Sequence, residues 1–183
     1  NFTTKDASDF IKDGNSGALR VKASLDSNGT GVLTSAVLAQ QINDTFEILA
    51  TGNWRRRDAV TQANGNILTG SDFNTWSGLL KGTARFGDND EQTITASYQR
   101  WQSTAKDQAY AQTGTSSLFG VTDRAVLDQT AVLHWENPAT DNPWVDLKVN
   151  LTYSDTTNDQ TNHRAVANGP ITTPTTLAPG PGG

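Results

Sequence analysis

The chain contains no cysteine, no methionine and no long apolar run, and its acidic residues outnumber its basic ones. Without cysteine it can build neither a disulfide framework nor a thiolate metal site; an oxidising compartment is compatible with that. No window of roughly 18 apolar residues occurs, which excludes a transmembrane helix. With 14 Lys+Arg against 19 Asp+Glu, a net charge of -5 and a pI near 4.8, the chain lacks the basic balance that a nucleic-acid partner favours. Apolar residues are scarce too: 34% of 183, with a mean hydropathy of -0.54. That is poor for a soluble domain of this size and ordinary for a barrel with a wet lumen and polar loops. No grouping of Ser, His and Asp suggests nucleophilic catalysis, so the sequence points away from an enzyme.

What the sequence does contain is alternation. From Val145 to Tyr153 every odd position is apolar, and from Asp146 to Ser154 every even one is polar. A period of two is a strand with one greasy and one wet face. The wet face carries full charges, Asp146 and Lys148, and aromatics stand near the ends of Trp144–Asp155. This pattern fits a strand crossing an outer membrane, with lipid on one side and a polar lumen on the other. A half-exposed strand of a soluble sheet would read the same way.

Six further strands precede this one. Leu19, Val21, Ala23 and Leu25 alternate with Arg20, Lys22 and Ser24, and the Ser27–Gly31 stretch turns the chain. A second strand, about 32–40, has a blurred alternation that leaves its faces unassigned. The third sets Phe46, Ile48, Ala50, Gly52 and Trp54 against Glu47, Thr51 and Asn53. The fourth sets Trp76, Leu80, Ala84 and Phe86 against Lys81, Thr83 and Arg85. The fifth sets Ile94, Ala96 and Tyr98 against Thr95, Ser97 and Gln99. The sixth sets Leu127, Ala131, Leu133 and Trp135 against Asp128, Thr130 and His134, with Gln129 misplaced on the greasy side.

Tight turns at 87–90 and 137–143 alternate with long polar loops expected at 55–75 and 102–123. Transmembrane barrels have short turns at one end and long loops at the other. Trp76 and Phe86 lie ten residues apart on one face. At roughly 3.3 Å per residue and a tilt of about 45°, they stand about 23 Å apart along a membrane normal, close to the apolar band of about 25 Å between aromatic girdles. Trp54, Trp76 and Tyr153 are the expected outer rim, and Phe46, Phe86 and Trp135 the inner one. The alternative is that these rings are core aromatics of a sandwich.

Several stretches resemble TonB-dependent outer-membrane receptors. Asn1-Phe2-Thr3-Thr4-Lys5 is similar to the strand that closes their plug domain. Residues 85–90 and 92–100 resemble the start of their barrels. Residues 141–147 together with 153–156 look most like the branch that takes up haem or haem proteins. The resemblance implies an all-β fold: part of an antiparallel transmembrane β-barrel, about seven strands in an up-and-down meander, belonging to a plugged barrel of about 22 strands. It divides the chain into the end of a plug and linker (1–16), the first barrel strands (17–159) and an irregular extracellular loop (160–183). The Asn1 start and the Pro- and Gly-rich 170–183 add the expectation that the chain is a piece of a longer polypeptide. The implied function is uptake of an iron-bearing ligand across the bacterial outer membrane. Haem is the transported ligand rather than a resident cofactor, and a siderophore receptor or another outer-membrane barrel is the alternative. The implied partners are outer-membrane lipid, lipopolysaccharide and, through the plug region, the TonB complex. A secreted carbohydrate-binding β-sandwich is the reading from a different class.

Candidate chemistry is sparse. His163, in the expected extracellular loop, could ligate haem iron or be a solvated loop residue. His134 reads as a satisfied lumen residue. Asp88/Asp90 and Asp141/Asp155 read as turn formers. Arg55-Arg56-Arg57, next to Trp54, could bind lipopolysaccharide phosphates or be the solvated base of a loop, and Asp72 and Asn74 read as ordinary loop polars.

Overall fold

Alternating strands joined by short turns tend to pair with their neighbours in sequence, and the computed structural model follows that tendency, stepping over one small hairpin. It describes residues 4–87, 91–109, 120–139, 144 and 146–163. A short 3₁₀ turn, Ala7–Asp9, precedes nine strands: β1 (Gly17–Asp26), β2 (Gly31–Gln41), β3 (Phe46–Arg57), β4 (Val60–Thr61), β5 (Ile67–Leu68), β6 (Phe73–Phe86), β7 (Gln92–Ala109), β8 (Val121–Asn137) and β9 (Leu147–His163). Seven form one antiparallel sheet in the order β1-β2-β3-β6-β7-β8-β9, and β4 and β5 form a separate small hairpin. The fold is all-β, an up-and-down meander. The sheet is open, with β1 and β9 as its two edges.

Local chemistry sets the turns. Asn43 Oδ1 accepts the amides of Thr45 and Phe46 at 3.0 and 2.7 Å, closing the turn between β2 and β3. Gly29 has φ +82° in the turn between β1 and β2, and a Cβ there would stand 2.5 Å from the Asp58 carbonyl. A side chain is excluded twice over, by backbone conformation and by the close approach of the next loop.

The strands outrun their alternation. β7 continues through residues 102–109 and β8 begins at Val121, so most of the loop expected at 102–123 is strand. β3 reaches Arg57 and β6 starts at Phe73, which shortens the loop expected at 55–75. β9 starts at Leu147 and runs to His163. Trp144 therefore sits in a turn outside the strand, and 160–163 are strand, whereas 160–183 were expected to be irregular; 164–183 lie outside the described residues. At the ends of β7 and β9, Ser, Thr, Asn, Gln and Asp on both faces give no period-two signal, and at the end of β3 three successive arginines give none, while ladder hydrogen bonds need only backbone. A bulge between Ala105 and Gln108 interrupts β7. There Asp107 adopts φ +49° and donates its N–H to Asp123 Oδ1 at 2.9 Å.

Register assigns the faces. Ala39, Leu49, Lys81, Ser97, Val132 and Thr152 form one row; Leu38, Ala50, Leu80, Tyr98, Ala131 and Tyr153 form the adjacent row on the opposite side. One face is thus mainly polar and the other mainly apolar. The buried core is small and lies on the polar face, where Ala7, Ala39 and Leu49 are packed with Phe10, Ile11, Ala18, Val37 and Leu79. This explains the blurred β2: Ala36 and Leu38 face the apolar side, while Val37 and Ala39 face the N-terminal segment.

Candidate functional site

Two surfaces carry the chemistry, one on each side of the sheet. On the apolar side, Leu19, Val21, Leu25, Leu38, Leu80, Leu133, Leu151 and their neighbours are exposed, Leu25 to 82% and Leu19 to 71%. Every exposed large hydrophobic borne by the seven-stranded sheet lies on this side; Ile42, Ile67, Leu68 and Trp144 belong to turns or to the small hairpin. Among the described residues, no element covers this face. A contiguous apolar surface of this kind marks an interaction with another protein or with a membrane.

All six expected rim aromatics, Phe46, Trp54, Trp76, Phe86, Trp135 and Tyr153, stand on that apolar side. Trp54 and Trp76 face each other across β3 and β6, and Trp54 Nε1 donates to Asn74 Oδ1 at 2.8 Å. Asn74, read from sequence as an ordinary loop polar, is a strand residue that orients an indole. Phe46 and Trp135 share the row Phe46–Ala84–Ile94–Trp135 near the opposite end, with Phe86 one row beyond. Tyr153 is not at a strand end, because β9 continues ten residues past it; it is the last apolar residue of the greasy stripe.

The polar side is occupied by the chain's own N-terminal segment. Lys81, 4% exposed, donates from Nζ to the carbonyls of Thr4 and Lys5 at 2.9 and 3.3 Å and pairs with Asp6 Oδ1 at 2.8 Å. Thr83 Oγ1 donates to the same Asp6 oxygen at 2.8 Å. Glu47, 3% exposed, accepts the Ser8 amide at 3.2 Å and pairs with Arg85 at 2.9 Å. Buried charges persist only when paired and hydrogen-bonded, and both of these are. No sequence signal marks this latch, whose contacts join residues 39 to 77 positions apart; the one hint is that Glu47, Lys81, Thr83 and Arg85 alternate on the wet faces of their strands.

The remaining candidates are placed as follows. His134 stands on the polar face with Nδ1 2.7 Å from Asn150 Oδ1 and Nε2 3.6 Å from Glu136, and Glu136 also pairs with Lys148 at 2.7 Å. Both of its ring nitrogens are engaged by neighbours within the sheet. The backbone of His163 ends β9 opposite Val121 rather than lying in a loop. Asp155 is a strand residue opposite Gln129, not a turn former; Asp88, Asp90 and Asp141 lie outside the described residues. Arg55, Arg56 and Arg57 end β3 rather than forming a loop base. Strand alternation separates them: Arg55 stacks over Phe73 at 5.1 Å, Arg56 pairs with Asp58 at 3.1 Å and Arg57 with Asp26 at 3.5 Å. Among the described residues, no three metal-ligating side chains converge. No protein-family model, curated protein or solved structure matches the chain.

Proposed function

We propose that the chain forms part of the wall of a TonB-dependent receptor in a bacterial outer membrane, and takes up an iron-bearing ligand, haem or a haem protein. One observation carries this reading: the apolar side of the sheet is bare, while the segment 4–11 is latched to the polar side. A soluble sheet buries its greasy face and leaves its polar face to water. Here the order is inverted, as in a barrel wall with lipid outside and a polar interior. The N-terminal segment then lies where a plug joins the inner wall. Haem rather than a siderophore rests on the resemblance of 141–147 and 153–156. A carbohydrate-binding sandwich would need a second sheet against Leu19, Leu80 and Leu151, and the described residues supply none.

The test is genetic. Deleting the encoding gene in the source cells abolishes growth on haem as sole iron source and leaves growth on iron salts intact. Loss of growth on a siderophore instead moves the ligand to the alternative, and unchanged growth on both contradicts the receptor reading.

A further inference from the structure

Arginine on a lipid-facing surface is costly unless an anion accompanies it, and one such arginine has no anion among the described residues. Arg100 lies on the apolar face of β7, opposite Gly78 on β6 and Gln129 on β8. Its guanidinium stacks over the Trp76 ring at 5.1 Å. Its Nε is buried and has no hydrogen-bond partner, and the side chain makes no ion pair among the described residues. Arg56, also on this side, is already neutralised by Asp58. Beside Arg100 the row continues through Gly78 and Gly52, which face each other; a Cβ on Gly52 would meet nothing within 4 Å. The result is a shallow strip without side chains, bounded above by Trp54 and Trp76, with one unneutralised fork of N–H donors at its end.

We infer that Arg100, with Trp76 and the Gly52–Gly78 strip, binds the phosphate of an anionic membrane lipid, the acyl portion lying in the strip. This rests on the apolar face being lipid-facing, as proposed above. The guanidinium fork matches phosphate geometry with paired, charge-assisted hydrogen bonds. Stacking on the indole holds its plane and leaves its edge for the ligand. It lies one same-face step below the paired tryptophans and reaches up to stack on Trp76, which sets its guanidinium within reach of the headgroup phosphates. Overall attraction does not explain such binding, because a chain of net charge -5 is repelled by an anionic membrane. The contact has to be local.

The test uses the whole chain and phosphatidylcholine vesicles containing either diphosphoryl lipid A or its dephosphorylated form, with binding read by flotation. The expected result is binding to both, tighter to the phosphorylated form by about tenfold, the equivalent of ~1.4 kcal/mol. Arg100→Gln removes that gain. Arg20→Gln, the same charge change on the polar face, keeps it. Excess inorganic phosphate leaves the gain in place. Should Arg100→Gln fail to regain its strand signal by circular dichroism, Arg100→Lys is read instead; it keeps the charge without the fork and lowers the gain by about threefold or more. A gain that is absent in the natural chain, that survives Arg100→Gln, that is unchanged in Arg100→Lys or that inorganic phosphate abolishes overturns the inference. Failure to bind either vesicle overturns the lipid-facing reading itself.

Discussion

The Tyr98 hydroxyl donates to Gln129 Oε1 at 2.6 Å across β7 and β8. Gln129 is the polar residue that breaks the greasy stripe of β8, and this bond accounts for it. Both groups are on the apolar side, so the value of the bond depends on the solvent there. Facing water, Tyr98→Phe merely returns Gln129 to water and costs close to nothing. Facing lipid, it orphans an amide and costs about 1–3 kcal/mol. Unfolding by urea from phosphatidylcholine vesicles is expected to show that cost, and Gln129→Leu on the Tyr98→Phe background to remove most of it.

Lys81 gives a second prediction. Lys81→Met leaves Asp6 with Thr83 alone and takes the side-chain donor from two backbone carbonyls, and the segment 4–11 should loosen by about 1–3 kcal/mol. That is below the ~3–5 kcal/mol of a fully buried broken pair, because the Asp6 side chain is 34% exposed. Hydrogen exchange should accelerate at Phe10 and Ile11, whose amides bond to the Ala7 carbonyl, while the β7–β8 ladder keeps its protection. Equal acceleration in both places would mean that the segment is not a separable latch.

Two glycines share a backbone conformation and differ in their surroundings. Gly29 and Gly65 have φ +82° and +84°, but a Cβ on Gly65 meets nothing within 4 Å. Alanine at Gly65 should cost about 1–2 kcal/mol for the left-handed backbone. Alanine at Gly29 should cost more, because the Asp58 carbonyl must also move. The added loss should appear as faster exchange of the Thr61 amide, which bonds to Asn28 Oδ1 at 2.9 Å. Equal costs at the two sites would contradict the close approach.

Much of the sheet is legible in the sequence because one face is bare. Leu19 to Leu25 and Ile94 to Tyr98 alternate cleanly, since nothing covers their apolar side and polar residues fill the other. Legibility fails where that condition fails. Val37, Ala39, Leu49 and Leu79 are apolar on the wet side because Phe10 and Ile11 sit over them, so β2 reads as two-sided. The far ends of β7 and β9 are polar on both faces and read as loop, although pairs such as Thr122 of β8 with Asn162 of β9, bonded at 2.6 Å, hold the sheet together there. The latch is invisible because Asp6 and Lys81 meet only through tertiary structure.

The central claim is that β9 has lipid on its odd side and a polar interior on its even side. The chain has no cysteine, so single cysteines placed in turn from Leu147 to Ser154 can each carry a spin label without background. In phosphatidylcholine vesicles, collisions with oxygen should peak at 147, 149, 151 and 153, and collisions with a water-soluble nickel chelate at 148, 150, 152 and 154, a period of two in opposite phase. Nickel access at the odd positions equal to that at the even ones would contradict the account.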